Sequence, residues 1–426
     1  MPAVPAQAAA EVERNLALLQ TQIDEANKRL VSTTGQGGPN FVQNAILGPL
    51  KDKRAATIDR ITIAIGRAGP RPYLNAWKLA TCSVQGAGSA APTTAAPATA
   101  APSASDSSAP AATASTSTSA STSASASATT SPATGPVASD FISIRKVAPV
   151  RSTRARVTRR GSAGTFTARC GNVDTTHHNS DNIIVAPGVT NGAHHLHDYV
   201  GNKTTSGAST NESLAASGTT CADKGDKSAY YWPAVRDITK KANQQRFPGE
   251  LDSDLNVGTV LLPKTTITYS GNPFSKVTAM PEFLRILTGD AKAFTNGGAN
   301  AKAQFTCAGF TNRISTDKYT LCPGGRGFTR ISEFPSCWDG QNIDSANHRS
   351  HVVFPDASGR CQVGFKAIPK LTITTVYNVP QGPKFAVDGF PEQLHKPIND
   401  HNDFINVMST ASMNRVVNCI NTGRRC

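Results

Sequence analysis

The sequence lacks the features of several common protein classes. No run of about 18 apolar residues occurs, so no transmembrane helix is predicted. None of the nine cysteines stands in a CxxC pair, and neither a zinc-finger spacing nor the aromatic-interleaved sheet motif of nucleic-acid-binding domains is present. We therefore expect no transmembrane segment and no nucleic-acid partner.

One segment also lacks the residues from which a folded core is built. Residues 85–139 contain no Lys, Arg, Leu or aromatic residue and consist almost entirely of Ala, Ser, Thr, Pro and Gly. Such a segment cannot offset the entropy lost on ordering, so we predict a low-complexity disordered linker over residues 85–140. Tracts of this composition occur both as O-glycosylated extracellular stalks and as unmodified spacers, and both interpretations stay open.

Positive charge is concentrated beside this linker. The formal net charge is +14, and residues 141–168 carry seven Arg and Lys residues without a single acid. We predict a basic arm over residues 141–164. Such an arm either binds an anionic surface, such as a cell-wall polymer or a membrane, or is a solvated linker.

The cysteines indicate an oxidising compartment. Cys82 stands alone before the linker, whereas the other eight lie in the C-terminal part of the chain. An even, dispersed set predicts four disulfides rather than a metal site, and spacing alone leaves the pairing open. The eight cysteines are Cys170, Cys221, Cys307, Cys322, Cys337, Cys361, Cys419 and Cys426.

A disulfide-bonded domain predicts a secreted, extracellular protein, and the first residues resemble the end of an export signal. Residues 6–8, Ala-Gln-Ala, have the small-x-small form of a signal-peptide cleavage site before a polar helical start. The charged and apolar parts that precede such a site are missing. We therefore predict that residues 1–9 are the remnant of a signal peptide whose start was assigned too late. The alternative is a chance Ala- and Pro-rich terminus.

Residues 10–84 are predicted to form a helical hairpin. Apolar residues recur at intervals of three and four over residues 12–30, and a second such series covers residues 47–65. The hairpin either packs on itself or self-associates with a second chain through the first series, as in a coiled coil. That series is Val12, Leu16, Leu19, Ile23, Ala26 and Leu30.

From about residue 165 the sequence indicates a different fold. Short runs rich in β-branched residues are bounded by Gly, Pro and Asn, whereas helical patterns are few. We predict a β-rich α+β domain over residues 165–426, sandwich-like and held by disulfides. The predicted strands are 182–189, 257–263, 265–271, 351–356 and 371–380, and the predicted helices are 211–216, 281–288 and 413–420.

Histidine marks the predicted functional region, because all nine histidines lie between residues 177 and 401. In "AHHLHDYVGN", His195 and His197 would share one face of a strand, and in "DSANHRSH" the three-residue spacing of His348 and His351 would bring them together on a turn. Histidine moves protons near neutral pH and binds metals, so we expect these segments to meet His401 and Asp403 in one site. The alternative is a structural set of histidines.

The second of these stretches is "FPSCWDGQNIDSANHRSHVVFP", residues 334–355. A disulfide at Cys337 would brace it, and Asp339-Gly340 predicts a turn. Trp338 offers a flat apolar ring, which is either a platform for a sugar or a core aromatic beside the disulfide.

The two stretches resemble a family of secreted fungal and actinobacterial proteins known as domain of unknown function 1996. The resemblance covers about residues 165–426 and implies an extracellular domain, often found in fungi beside carbohydrate-binding modules. It assigns no reaction. The matching residues are Pro187-Gly188, His195, His197, Cys337-Trp338-Asp339-Gly340, Asp344-Ser345, His348, His351, His401 and Asp403.

We expect first an extracellular carbohydrate-active enzyme that degrades a polysaccharide or cell-wall polymer. In a hydrolase, Asp344 and Asp403 would be the two catalytic carboxyl groups. In a lyase, a histidine would remove a proton next to a uronate carboxylate, with Tyr199 or a second histidine as acid and Arg349 or a metal neutralising the carboxylate. The excess of histidine favours the lyase or a metal-assisted enzyme. Candidate ligands of a divalent metal ion are His195, His197, His351 and His401 with one aspartate.

The alternative is a non-catalytic, adhesive module that binds the cell wall or a polysaccharide. In that protein the histidines would form a hydrogen-bonded network that holds loops together. A third candidate is a secreted redox-active or copper-binding protein.

Overall fold

The computed structural model describes residues 4–32, 42, 46–70, 72, 74, 76–84, 135–150, 156–240, 246–247, 249–250, 257–298 and 300–426. None of the helices in this part of the chain has the length and hydropathy of a membrane span. Residues 85–134 of the predicted linker over 85–140 lie outside the described residues. The α-helices are α1 (Ala6–Ser32), α2 (Gly48–Ala68), α3 (Ala76–Leu79), α4 (Asn211–Ala216) and α5 (Thr410–Asn421).

The strands are short and follow one another from residue 141 to residue 405. They are β1 (Phe141–Ser143), β2 (Thr165–Ala168), β3 (His178–Asn179), β4 (His197–Gly201), β5 (Ala229–Pro233), β6 (Val235–Asp237), β7 (Thr259–Leu261), β8 (Lys264–Ser270), β9 (Arg285–Gly289), β10 (Phe305–Cys307), β11 (Tyr319–Leu321), β12 (Arg326–Glu333), β13 (Cys337–Trp338), β14 (Val352–Val353), β15 (Lys366–Ala367), β16 (Lys370–Asn378), β17 (Phe385–Val387) and β18 (His401–Ile405).

Within the described residues these strands form five sheets, which confirms the predicted β-rich fold. The two largest have the strand orders β10-β12-β16-β8-β2 and β3-β4-β5-β18-β9, and all neighbouring strands in them are antiparallel. In β16, alternate residues from Leu371 to Tyr377 are buried, so one face of the first sheet packs into the core. The second sheet carries the histidine-rich segments. The smaller sheets are β1-β11, β14-β13-β15 and β17-β6-β7.

The N-terminal helices form the hairpin that the apolar series predicted. Val12 of α1 packs against Ile61 and Ile65 of α2, and the Gln22 amide donates a hydrogen bond to the Thr57 hydroxyl across the pair. Gly69 directly follows α2, where the sequence places Gly and Pro. Self-association through α1 stays a prediction.

Two predicted elements are wrong, and each has a local cause. Residues 182–189 were predicted as a strand but form turns, because the Asn182 side-chain carbonyl accepts hydrogen bonds from the backbone N–H groups of Ile184 and Val185. Residues 281–288 were predicted as a helix. Instead Phe283 has a φ of 65°, and β9 then pairs with β18.

The β-rich structure includes residues that the composition assigned to the basic arm. β1 pairs in parallel with β11, and Phe141 and Ile144 are buried beside Tyr319. Asp140, which was predicted to end the linker, is also part of this structure, because Lys396 binds both of its carboxylate oxygens, at 2.9 and 3.0 Å. Residues 151–155 of the arm lie outside the described residues.

The eight C-terminal cysteines form four disulfides in the described structure, as predicted. Among the described residues Cys82 is the free cysteine. The pairs join segments that are close in sequence, with separations from 7 to 51 residues. They are Cys170–Cys221, Cys307–Cys322, Cys337–Cys361 and Cys419–Cys426.

Asp226, buried beside the Cys170–Cys221 disulfide, predicts a pH dependence of stability. Burial raises the pKa of its carboxyl group from 3.8 to about 6, although hydrogen bonds from Ser228 and Tyr230 lower the pKa in part. Because the pKa of Asp226 is higher in the folded than in the unfolded chain, the folded state binds its proton more tightly. The stability that this protonation gives is complete below pH 3.8 and is lost as the pH rises through about 6. Asp226→Asn should therefore flatten the pH dependence between these values and be about 1–3 kcal/mol more stable at neutral pH.

Urea unfolding of the full chain at several pH values between 4 and 7 measures this effect. Asp223→Asn is the matched control, because Asp223 is partly exposed and pairs with Arg415, so neutralising it should bring no gain at neutral pH. An unchanged pH slope in Asp226→Asn would show that the buried carboxyl group is not the cause.

Candidate metal centre

Three histidines from distant parts of the chain meet on one face of the β3-β4-β5-β18-β9 sheet. His197 opens β4 and His195 lies two residues before it, whereas His401 opens β18. The two strands flank β5, and the pairings His197–Pro233 and Asp403–Tyr231 bring His197 and His401 to the same level of the sheet. Sheet register therefore joins residues that are about 200 positions apart.

The ring nitrogens of these histidines converge. His195 Nε2 lies 3.2 Å from His197 Nε2 and 3.1 Å from His401 Nε2. One nitrogen of each ring lies within 4.8 Å of the others, which fits a common metal ion. His351, the fourth predicted metal ligand, is not part of this group.

Backbone carbonyl groups orient two of the rings. His197 Nδ1 lies 2.9 Å from the Asp181 carbonyl oxygen, and His401 Nδ1 lies 2.9 Å from the Asn399 carbonyl oxygen. A carbonyl can only accept, so each Nδ1 carries the proton and each Nε2 presents a lone pair to the centre. Metal-binding histidines are commonly held in this way.

Burial keeps the three rings neutral. The exposed fractions of His195, His197 and His401 are 1%, 0% and 7%. Burial lowers the pKa of all three imidazoles, and the neighbouring histidines lower the pKa of His195 and His197 further. If His195 Nε2 carries the proton, its single N–H can donate to only one of its two partners and leaves the lone pair of the other without a donor. If His195 Nδ1 carries the proton, the lone pairs of all three Nε2 atoms converge without a donor. The arrangement therefore favours a bound cation.

Asp403 lies beside this centre on the same face of β18, two residues after His401. Its Oδ2 accepts a hydrogen bond from the Asn182 amide at 3.2 Å, and Tyr231 donates to the same Asn182 side chain at 3.1 Å. Burial raises the pKa of Asp403 to about 7, although the positive charge of Arg349 lowers it in part. A carboxyl group is thus held on the strand that carries His401, outside the group of converging nitrogens.

The loop from Asp344 to His351 packs against the edge strand β9 of the same sheet. Arg349 is half-buried and donates to the Gly289 carbonyl at 2.7 Å, and His351 Nε2 lies 2.6 Å from the Arg285 carbonyl. His348 binds the Asp344 carboxylate within the loop at 2.9 Å. This loop adjoins the site. His348 and His351 nevertheless bind other partners and do not join His195, His197 and His401.

Two predicted substrate contacts are buried instead. Trp338 is 9% exposed, belongs to the main apolar core and donates its N–H to the Asn342 carbonyl at 2.7 Å, so it is the core aromatic rather than a sugar platform. Tyr199 donates to the Asn179 side chain at 2.6 Å and stacks on Tyr231. Burial raises its pKa well above the ordinary value, so Tyr199 is a poor proton donor.

Phe390 forms an outer wall of the centre that the sequence analysis did not identify. Its ring lies 5.2 Å from the His195 ring and 5.6 Å from the His194 ring. Lys292 places its ammonium group 4.7 Å from the same ring. No local motif surrounds either residue, so only their position in the fold reveals them. His194 itself has a φ of 57°, a left-handed conformation in the turn that leads into His195.

A family model with the description "Domain of unknown function (DUF1996)" matches residues 182–406, which is more than half of the chain. The matched region contains the three converging histidines, Asp403, Phe390 and the loop from Asp344 to His351. The N-terminal helices lie outside it. No curated protein and no solved structure matches the chain.

Proposed function

The chain belongs to the domain of unknown function 1996 family, whose description names no reaction, and we propose that it is an extracellular, metal-dependent enzyme that cleaves polysaccharide. The observation that carries the proposal is the convergence of His195, His197 and His401 on one point, with their Nε2 atoms 3.1 and 3.2 Å apart. Disulfide bonding of the domain supports an extracellular location.

The donor set supports a divalent transition metal such as zinc. Nitrogens bound to zinc at about 2.0–2.1 Å in a tetrahedron lie roughly 3.3 Å apart, close to the observed separations. Three neutral imidazoles leave a fourth position for water or substrate, as in catalytic rather than structural zinc sites. His195, His197 and His401 would hold such a metal, which would lower the pKa of a bound water and polarise an oxygen of the substrate.

The chain itself supplies a carboxyl group on the strand that carries His401. Asp403 lies on the same face as His401 and is held by Asn182, so we assign it the role of accepting or returning a proton during bond cleavage. A two-carboxylate hydrolase with Asp344 has less support, because Asp344 is bound by His348 within its own loop. Metal-assisted hydrolysis and metal-assisted elimination both fit the proposal.

Burial of the three imidazoles favours one alternative, a non-catalytic wall-binding module. Their exposed fractions of 1%, 0% and 7% also suit a structural network of histidines. Such a module would bind polysaccharide without cleaving it.

Metal analysis and a polysaccharide panel distinguish these proposals. We expect the purified full chain to contain about one equivalent of a divalent metal, and a chelator to abolish cleavage until the metal is returned. Reducing ends report hydrolysis, and absorbance of unsaturated uronates reports elimination. A chain with metal that binds polysaccharide without cleavage would support the wall-binding module, and a chain that takes up no metal would contradict the metal centre.

A further inference from the structure

Phe390 packs against the buried histidine centre and is itself partly exposed. One part of its ring contacts the buried His195 at 5.2 Å between centroids, while the residue itself is partly exposed. Phe294, close by in the fold, is 42% exposed and lies under the Lys396 ammonium group. The histidine centre is therefore bordered by an apolar, partly exposed aromatic surface.

Positive charge lies directly on this surface. The Lys292 ammonium group is 4.7 Å from the centre of the Phe390 ring, so a single ring separates it from His195. Two carboxylates lie near this surface. Asp290 accepts from the Lys292 backbone N–H and from the Asn296 amide, and Asp140 is bound by Lys396. Glu392 is exposed on the same segment as Phe390.

We infer that Phe390 and Lys292 form the substrate subsite next to the metal centre and that this subsite takes a uronate, a sugar that carries a carboxylate. The inference rests on the proposed function. The flat apolar ring suits the C–H face of a pyranose, and the ammonium group suits its carboxylate. Arg349, which was predicted to neutralise a uronate, is half-buried and donates to the Gly289 carbonyl. Lys292 takes that role from its position over the Phe390 ring.

The test compares acidic and neutral forms of the same sugars. Tetramers of galacturonic acid and of mannuronic acid, and the methyl ester of each, are titrated into the metal-treated full chain by calorimetry. Lys292→Gln should weaken binding of at least one acidic tetramer about tenfold and leave its ester unchanged. Phe390→Leu should weaken the acid and the ester alike.

Lys302→Gln is the matched control, because Lys302 lies over Phe354 at the same distance of 4.7 Å. It should change neither affinity. Equal affinity of Lys292→Gln and the unsubstituted chain for the acids would overturn the inference, and so would failure of the unsubstituted chain to bind either acid. The metal content of each sample is measured in parallel, so a missing metal counts against the proposed function, whereas the acid–ester comparison tests the subsite by itself.

Discussion

Replacing His197 by Ala should lower the metal content of the full chain from about one equivalent to near zero and reduce polysaccharide cleavage at least about 10³-fold. The reason is that His197 supplies one of the three converging nitrogens and has its ring fixed by the Asp181 carbonyl. Two imidazoles without the third bind a divalent ion far more weakly. Elemental analysis after dialysis and the reducing-end assay measure the two effects.

His177→Ala is the control for this substitution. His177 stacks on Tyr199 and contacts the Thr205 carbonyl, outside the converging group, so this variant should keep its metal. The melting temperature separates loss of metal from loss of fold, because only the metal-bound chain is stabilised by added metal. A His197→Ala chain that keeps one equivalent of metal, or that loses it only by unfolding, would contradict the assignment.

Replacing Arg330 by Met should destabilise the protein by about 3–5 kcal/mol, because it leaves Asp400 charged and unpaired in the interior. Arg330 and Asp400 form an ion pair, and their side chains are 1% and 3% exposed. Arg330 also donates to the Pro233 carbonyl at 2.8 Å, next to the histidine centre. Asp400 directly precedes His401, so the same change should weaken metal binding.

Lys370→Met provides the comparison for this prediction. Lys370 pairs with Glu333, which lies on the same strand as Arg330, but the two side chains are 33% and 41% exposed. Loss of an exposed pair should cost no more than about 1 kcal/mol. Denaturant unfolding in the presence of a chelator compares the two variants without a contribution from metal. A similar decrease in the free energy of unfolding in both variants would mean that leaving Asp400 unpaired in the interior does not destabilise the fold.

The sequence was most informative where function and local pattern coincide. The H-x-H spacing placed His195 and His197 together because alternate residues of an extended chain share a face. Their meeting with His401 needed the pairing of β4 and β18 with β5, which no local pattern contains. For the same reason the carbonyl groups of Asp181 and Asn399 could not be assigned, since any residue has a carbonyl group.

Sequence-based predictions were wrong where a side chain competes with the backbone for hydrogen bonds. They stayed open where the role of a residue depends on its burial in the fold. Asn182 turned an apolar, β-branched run into a turn, because its side chain accepted the N–H groups that a strand would pair. Trp338 satisfied both the platform and the core interpretations until its burial was known. The strand predicted over residues 371–380 corresponds to β16, in which every second residue from Leu371 to Tyr377 is buried.

The pairing of β1 with β11 has a practical consequence for recombinant work on the C-terminal domain. A fragment cut at residue 165, where the composition changes, would omit Phe141 and Ile144 and leave Tyr319 and Phe385 open to water. It would also remove Asp140, the partner of Lys396 on the segment that leads into His401. Expression clones intended to carry the intact β-rich domain therefore have to begin ahead of Val137, whose backbone N–H donates a hydrogen bond to the Asp140 carboxylate.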